Sequence, residues 1–295
     1  MITVLIAIAS SALFGSGVAL QQRPARNVPE HYAARLVLLA RVAQRPLWLL
    51  GIAAELAGFA LQVVALGHGS LVVVQPIITV SLLFTIALAG TWSRATVTRR
   101  DWAAVVVVVI GLSAFLVMAQ PSEHSRGQAS IGAWAIMSVS AVVAVATLLA
   151  AGFHSGGRRR AALFGLAAGV GDAVMAVLTK AFAHDLEPGL MHALHSWTPY
   201  ALAAVGIVAL LLSQTAYQVG RPAVSLPLIT VTDPILSSVL GIVIFGEVIH
   251  LHGLRGPVAL VAVVVMVFGL VVLNQSTAVV EPDPAPATEP SAWTR

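Results

Sequence analysis

The chain has 295 residues, 58% hydrophobic and only 9% charged, with a net charge of +4 and a mean hydropathy of +0.93. Soluble domains carry about 25% charged residues, so this composition excludes a water-soluble fold and points to a bilayer. There is no cysteine, which excludes disulfides, thiolate metal sites and cysteine nucleophiles.

Nine apolar segments follow in order: 1–22, 46–66, 70–90, 102–119, 130–151, 161–183, 197–219, 222–246 and 256–274. Runs of ~20 apolar residues span a bilayer, and each must satisfy its backbone internally, so each is expected to be a helix. The expected fold is an all-α integral membrane protein of about nine transmembrane helices. No basic stretch precedes the first segment, so it reads as a retained helix; the small residues Ala9, Ser10, Ser11 and Ala12 leave a signal peptide as the alternative. In HYAARLVLLARVAQ (31–44), apolar residues recur at helical spacing with arginines between them. This stretch reads either as a surface helix or as a reduced tenth span. The end of the chain, 275–295, is rich in proline, alanine and acid and is expected to be a disordered tail.

Charge sets the orientation. The odd-numbered loops hold Arg23, Arg26, Arg35, Arg41, Arg45, Arg94, Arg99, Arg100, Arg158, Arg159, Arg160 and Arg221, whereas the even-numbered loops hold Arg126 and Arg255. This bias predicts an N-terminus outside and a C-terminus in the cytoplasm, in a plasma (inner) membrane. It also explains the computed isoelectric point of 10.3 without any nucleic-acid partner.

The phrase PIITVS (76–81) returns as PLITVT (227–232), 151 positions later. Each copy opens on a proline six residues after a short Gly-containing turn (GHGS, 67–70; QVGR, 218–221), which itself follows an apolar helix. Segments two and three are thereby matched to seven and eight, an offset of five spans. An odd offset makes the two copies cross in opposite directions, an inverted-topology repeat of the kind common in secondary transporters. The expected division is a first repeat at 1–119, a linking helix and loops at 120–160, and a second repeat at 161–274. Pro76 and Pro227, with Pro234 beyond, are expected hinges, because a proline inside a helix removes a hydrogen bond and bends the rod.

The stretches ALGHGSLVVVQPIITVSLLFTIALAG (65–90) and VSLPLITVTDPILSSVLGIVIFGEVIHLHGLRGPVALVAVVVMVFGLVVL (224–273) carry a resemblance. Both resemble the EamA-type repeats of the drug/metabolite transporter superfamily, the second including the Phe245–Gly246–Glu247 close. In the first half a threonine, Thr91 or Thr96, stands where that glutamate would fall. GSGVALQQR (15–23) and PLWLLGIAAELAGF (46–59) are similar to the front of NIPA-type magnesium transporters, with Gly58 where that family usually has asparagine. The resemblance covers about 270 residues. It implies a transporter fold and, through the NIPA-like front, magnesium as one substrate.

An ionisable residue at mid-depth in a membrane is a functional candidate by default. Glu55 lies on a stripe with Gly51, Gly58 and Gln62; Asp233 lies on a stripe with Thr230, Ser237 and Gly241; Asp172 sits beside Gly165, Gly169 and Ala173, a face suited to close helix contact. Facing lipid, each carboxylate would cost about 2.5–3.5 kcal/mol, so all three are expected to face a protein interior or a wet cavity. Burial favours the neutral acid and a nearby cation favours the carboxylate, so such groups can bind a cation, exchange protons, or do both in turn. Lys180 is a candidate charge partner or substrate contact, and equally a residue that snorkels to the interface. Gln21, Gln22, Gln214, Tyr217 and Gln218 can form a polar vestibule. His192 and His195, three apart, have a spacing that can chelate a metal, although a histidine-rich outward loop needs no metal to explain it.

No phosphate-binding glycine-rich motif and no HExxH, GxSxG or zinc pattern occurs in the sequence. The expectation is therefore a non-enzymatic transporter without cofactor, working by alternating access and driven by an ion gradient. It moves a small metabolite or drug-like solute, with a divalent cation as the alternative. A non-transporting membrane scaffold is the second alternative, and a homodimer is left open. A connected cavity lined by the polar stripes favours transport; stripes that pair off helix to helix favour the scaffold.

Overall fold

The computed structural model describes residues 2–26, 28, 32, 35–92, 98–119, 130–219, 222–248 and 253–274. They form an all-α fold of twelve helices: α1 (Ile2–Arg26), α2 (Leu36–Val42), α3 (Pro46–Gly67), α4 (Leu71–Ile78), α5 (Ser81–Trp92), α6 (Arg99–Ala119), α7 (Ile131–Phe153), α8 (Gly157–Leu186), α9 (Leu190–His195), α10 (Thr198–Val219), α11 (Pro222–Phe245) and α12 (Arg255–Asn274). Seven of these (α1, α3, α7, α8, α10, α11 and α12) are long and apolar enough to cross a bilayer. The other two expected segments appear as the shorter apolar stretches Leu71–Thr85 and Trp102–Phe115. The expected tail at 275–295, and Arg94, Arg126 and Arg221 of the charge argument, lie outside the described residues.

The described residues of 31–44 form no tenth crossing. Its helix, α2, has seven residues, about 10 Å at 1.5 Å per residue, against ~30 Å of hydrocarbon. Instead α2 packs against α10, with Leu38 and Val42 buried.

Small residues decide what packs on what. Two helices each gather a group of others: α1 packs on α3, α4 and α5, and the deeply buried α8 packs on α7, α10 and α11. A Cβ on Gly58 of α3 would lie 3.1 Å from the Ser10 carbonyl of α1, where Ser10 Oγ donates to Gly58 O at 2.7 Å. Gly15 of α1 lies against the Ser81 carbonyl, and a Cβ on Gly169 of α8 would stand 2.7 Å from Thr232 Cβ. Glycines at helix contacts allow this backbone approach, which replaces the hydrophobic drive that lipid does not supply. Around this pair α6 and α12 pack on each other, and α4 packs on α11.

The third apolar segment is not one rod. It breaks at Thr79–Val80 between α4 and α5. Pro76 has no N–H to continue the helical ladder, and Thr79 Oγ1 donates to Pro76 O at 2.6 Å. Three successive i to i−3 bonds, from Val80, Leu82 and Leu83, carry the chain through. Pro227 and Pro234, the other two expected hinges, lie within α11, whose helix runs on through both. One proline removes a single backbone bond, which neighbouring helices in a membrane protein can absorb.

Candidate functional site

The N-terminus of α4 needs partners for its first N–H groups, since no preceding turn supplies them. Ser70 Oγ accepts from Val73 N at 3.2 Å, while Glu247 Oε1 and Oε2 accept from Leu71 N at 2.7 Å and Val72 N at 3.0 Å. Glu247 reaches this place because Gly246, at φ +66°, reverses the chain directly after α11, a left-handed cap that suits glycine. Lys180 of α8 completes the knot, its Nζ 2.8 Å from Glu247 Oε1 with both residues buried. The side chain therefore does not snorkel. A carboxylate at a helix N-terminus, paired with a buried ammonium, joins α4, α8 and the turn after α11 at one end of the bundle.

At the opposite end the polar contacts are amides. Trp48 Nε1 donates to Gln214 Oε1 at 3.3 Å, and Gln214 Nε2 donates to Gln21 Oε1 at 2.6 Å, linking α3, α10 and α1. Gln218 Nε2 donates to Val28 O at 2.9 Å.

Between these ends lies a cavity of about 640 Å³, walled by α1, α3, α4, α5, α8, α10 and α11. Glu55, Asp172 and Asp233 all line it, from three different helices, and Asp172 is within electrostatic reach of the other two. The stem of Glu55 lies against Gly17: a Cβ there would stand 2.5 Å from Glu55 Cγ. The Gln21 amide is close enough to Glu55 for the two side chains to interact. Gln62, Thr230, Gln214 and Tyr217 line the cavity as well, together with Gln75, Thr79, Thr85 and Ser213. Among the described residues, no lysine, arginine or histidine lines it.

Two of the expected site residues lie elsewhere. Lys180 is engaged with Glu247, outside the cavity lining. Ser237, also outside the lining, donates its hydroxyl to Asp233 O at 2.6 Å. The stripe from Thr230 to Gly241 thus divides in function: its first two members face the cavity, and Gly241 makes room for the Glu247 carboxylate, 2.7 Å from where its Cβ would be. Gln75, absent from the sequence-based candidates, is 1% exposed, and among the described residues neither of its amide atoms has a hydrogen-bond partner. Its signal was an amide inside the apolar run LVVVQPII (71–78). Asp233 Oδ1 and Gln21 Nε2 are likewise buried without a hydrogen-bond partner among the described residues.

The lining follows the repeat of the sequence. Ile52, Glu55, Leu56, Phe59 and Gln62 of α3 face the cavity, and so do Ala203, Gly206, Ile207, Leu210 and Ser213 of α10, each 151 positions later. Ile78, Thr79 and Leu82 are matched in the same register by Ile229, Thr230 and Asp233. The walls correspond but the charges do not: in this register Glu55 is matched by Gly206, and Asp233 by Leu82.

His192 and His195 line a second pocket of about 440 Å³ with His184, Asp185, Trp134 and Trp197. Among the described residues no three His, Asp or Glu side chains gather closely enough to hold a metal ion.

Comparison with known proteins gives one relative, an uncharacterized protein of Corynebacterium glutamicum, 25% identical over 281 residues that cover 94% of this chain and 96% of the relative. No family model matches the chain. No solved structure matches it. What these observations establish together is a multi-pass, all-α membrane protein with an internal acidic cavity.

Proposed function

We propose that the protein is a secondary transporter, moving a small solute by alternating access with a proton or cation as the coupling ion. The observation that carries this reading is the convergence of Glu55, Asp172 and Asp233 on one cavity. A scaffold would pair such groups helix to helix; here Asp233 Oδ1 and both amide atoms of Gln75 are left without hydrogen-bond partners among the described residues. Buried polar atoms are normally satisfied, so atoms held ready at a cavity wall are suited to a ligand.

Several features support an inverted repeat of nine crossings beneath this activity. Helices α1 and α8 take equivalent neighbours, α3 with α5 and α10 with α11. Gly15 meets Ser81 and Gly169 meets Thr232, and these two contact residues close the two copies of the repeated phrase. With the arginine bias, the reading puts the Trp48–Gln214 end in the cytoplasm and the Lys180–Glu247 end outside. It also keeps the likeness to EamA-type transporters as the family hypothesis. Magnesium remains one solute to test, because it retains water and needs only one or two carboxylates.

The test is uptake into proteoliposomes under an imposed pH gradient, screening magnesium, amines and amino acids. At least one solute should accumulate in a gradient-dependent way, and Asp233→Asn should abolish that accumulation while the protein stays folded. Undiminished coupled uptake by this variant removes Asp233 from the mechanism. Absence of uptake for every solute favours the scaffold.

A further inference from the structure

We infer that Lys180 and Glu247 form the outer gate of the cavity: the ion pair parts, α4 swings about the break at Thr79–Val80, and the space opens outward. Such a gate serves the proposed transport site and rests on that reading.

Each end of the cavity is held by side chains that tie the first half of the chain to the second. At one end Trp48 of α3 and Gln21 of α1 bond to Gln214 of α10, through neutral donors and acceptors. At the other end the tie is ionic. The Glu247 carboxylate accepts from Leu71 N and Val72 N and pairs with the Lys180 ammonium at 2.8 Å. The ammonium reaches further. It donates to Gly69 O at 3.5 Å, in the turn before α4, and stands 5.3 Å from the ring centre of Phe245. One cation thus joins the start of α4 to the end of α11.

Stability alone does not call for this chemistry. A buried ion pair gains little over apolar residues of equal volume, since desolvation cancels most of the attraction. What the pair offers is two states. Closed, the charges satisfy one another in a dry site; parted, each needs water, which an open outer end supplies. An apolar contact in the same place would favour the closed end alone.

The element that the pair holds is suited to move as a unit. α4 has eight residues, and past Thr79–Val80 the chain continues through i to i−3 bonds rather than an unbroken helical ladder. Near that break α4 carries Gln75 and Ile78, which line the cavity. A swing of α4 therefore moves the wall that meets the occupant. A solute bonded to the Gln75 amide would bias the gate, which couples occupancy to opening.

The chain has no cysteine, so Ser213→Cys, on the α10 wall of the cavity, reports access from either side. A small membrane-impermeant methanethiosulfonate is applied from outside to intact cells and from the inner face to inside-out vesicles. Adding Lys180→Met with Glu247→Gln should speed labelling from outside about fivefold or more, with no gain from inside. Gly169→Val, which crowds Thr232 elsewhere on α8, controls for lost stability and should change neither rate. An unchanged outside rate in the folded double variant overturns the gate. So does equal acceleration from both faces, or the same shift in Gly169→Val. Hydrogen exchange of the unaltered chain in nanodiscs gives a second reading that needs no variant. The amides of α4 should open about tenfold more often, or more, than those in the middle of α8. Equal protection of the two helices overturns the gate. Neither measurement requires a solute. An outside-selective shift without gradient-driven uptake of any solute would defeat the transport reading and leave the movement of α4 standing. Coupled uptake without that shift would defeat the gate alone.

Discussion

Gln75 separates a functional role from a structural one more sharply than the acids do. A buried amide held for stability would make hydrogen bonds, and leaving one unmade costs about 1–3 kcal/mol. Among the described residues Gln75 makes none with its side chain and is 1% exposed. Gln75→Leu is therefore expected to raise the melting temperature, by the equivalent of about 1 kcal/mol, while weakening solute binding. A fall in melting temperature would show that the amide supports the fold. The sequence pointed to Glu55, Asp172 and Asp233 because ionised groups are costly in lipid, whatever the helices pack against. The amide of Gln75 inside an apolar run is a weaker signal, and the sequence did not separate Ser237 from Thr230, because an amide or hydroxyl can turn to its own backbone. Ser237 does turn, to Asp233 O.

The decisive element is α4, an eight-residue helix fixed at its N-terminus and broken from α5 at its end. Its anchor lies in the other half of the chain, 175 and 176 positions from the N–H groups it caps. Glu247→Gln would take the carboxylate away from the buried Lys180 ammonium and weaken the cap, a loss of about 3–5 kcal/mol. Lys180→Met should cost a similar amount, and the double variant clearly less than the sum of the two, because the second change removes the charge whose carboxylate the first took away. Additive losses in chemical or thermal unfolding would mean that the pair is not coupled. Packing at the helix contacts can be tested in the same assay. Gly169→Val should cost about 1–3 kcal/mol by overpacking, since Thr232 already occupies the space, whereas Gly156→Ala, with nothing within 4 Å of its Cβ, should be neutral. The repeated phrase announced Pro76 and Pro227 as equivalents, but only the first coincides with a break. Sequence identity at a proline says that a backbone bond is lost; it does not decide whether the helix breaks there, since Thr79 beside the break is matched by Thr230 inside the unbroken α11.

At the level of the whole molecule, two features of the chain were legible for one physical reason each. Apolar length marked the helices, since a bilayer demands about 20 residues per crossing. The 151-residue repeat marked which walls face one another, since matched residues of α3 and α10 share the cavity. That Leu56 and Ile207 line the cavity and yet stay exposed was not legible, because exposure depends on how the helices pack. Sidedness follows from the arginines alone, and the absence of cysteine makes it directly measurable. Single cysteines at Arg94, Arg221 and Arg126 would each report one loop to a membrane-impermeant maleimide. In intact cells Arg126→Cys should be labelled, whereas Arg94→Cys and Arg221→Cys should react only after the membrane is opened. Arg94 and Arg221 flank the matched helices on different sides in sequence, Arg94 after α5 and Arg221 before α11. An odd number of crossings must therefore separate the matched helices for both to reach one side. If the two positions label from opposite faces, the copies run parallel, and α3 and α10 can no longer present equivalent walls to one cavity.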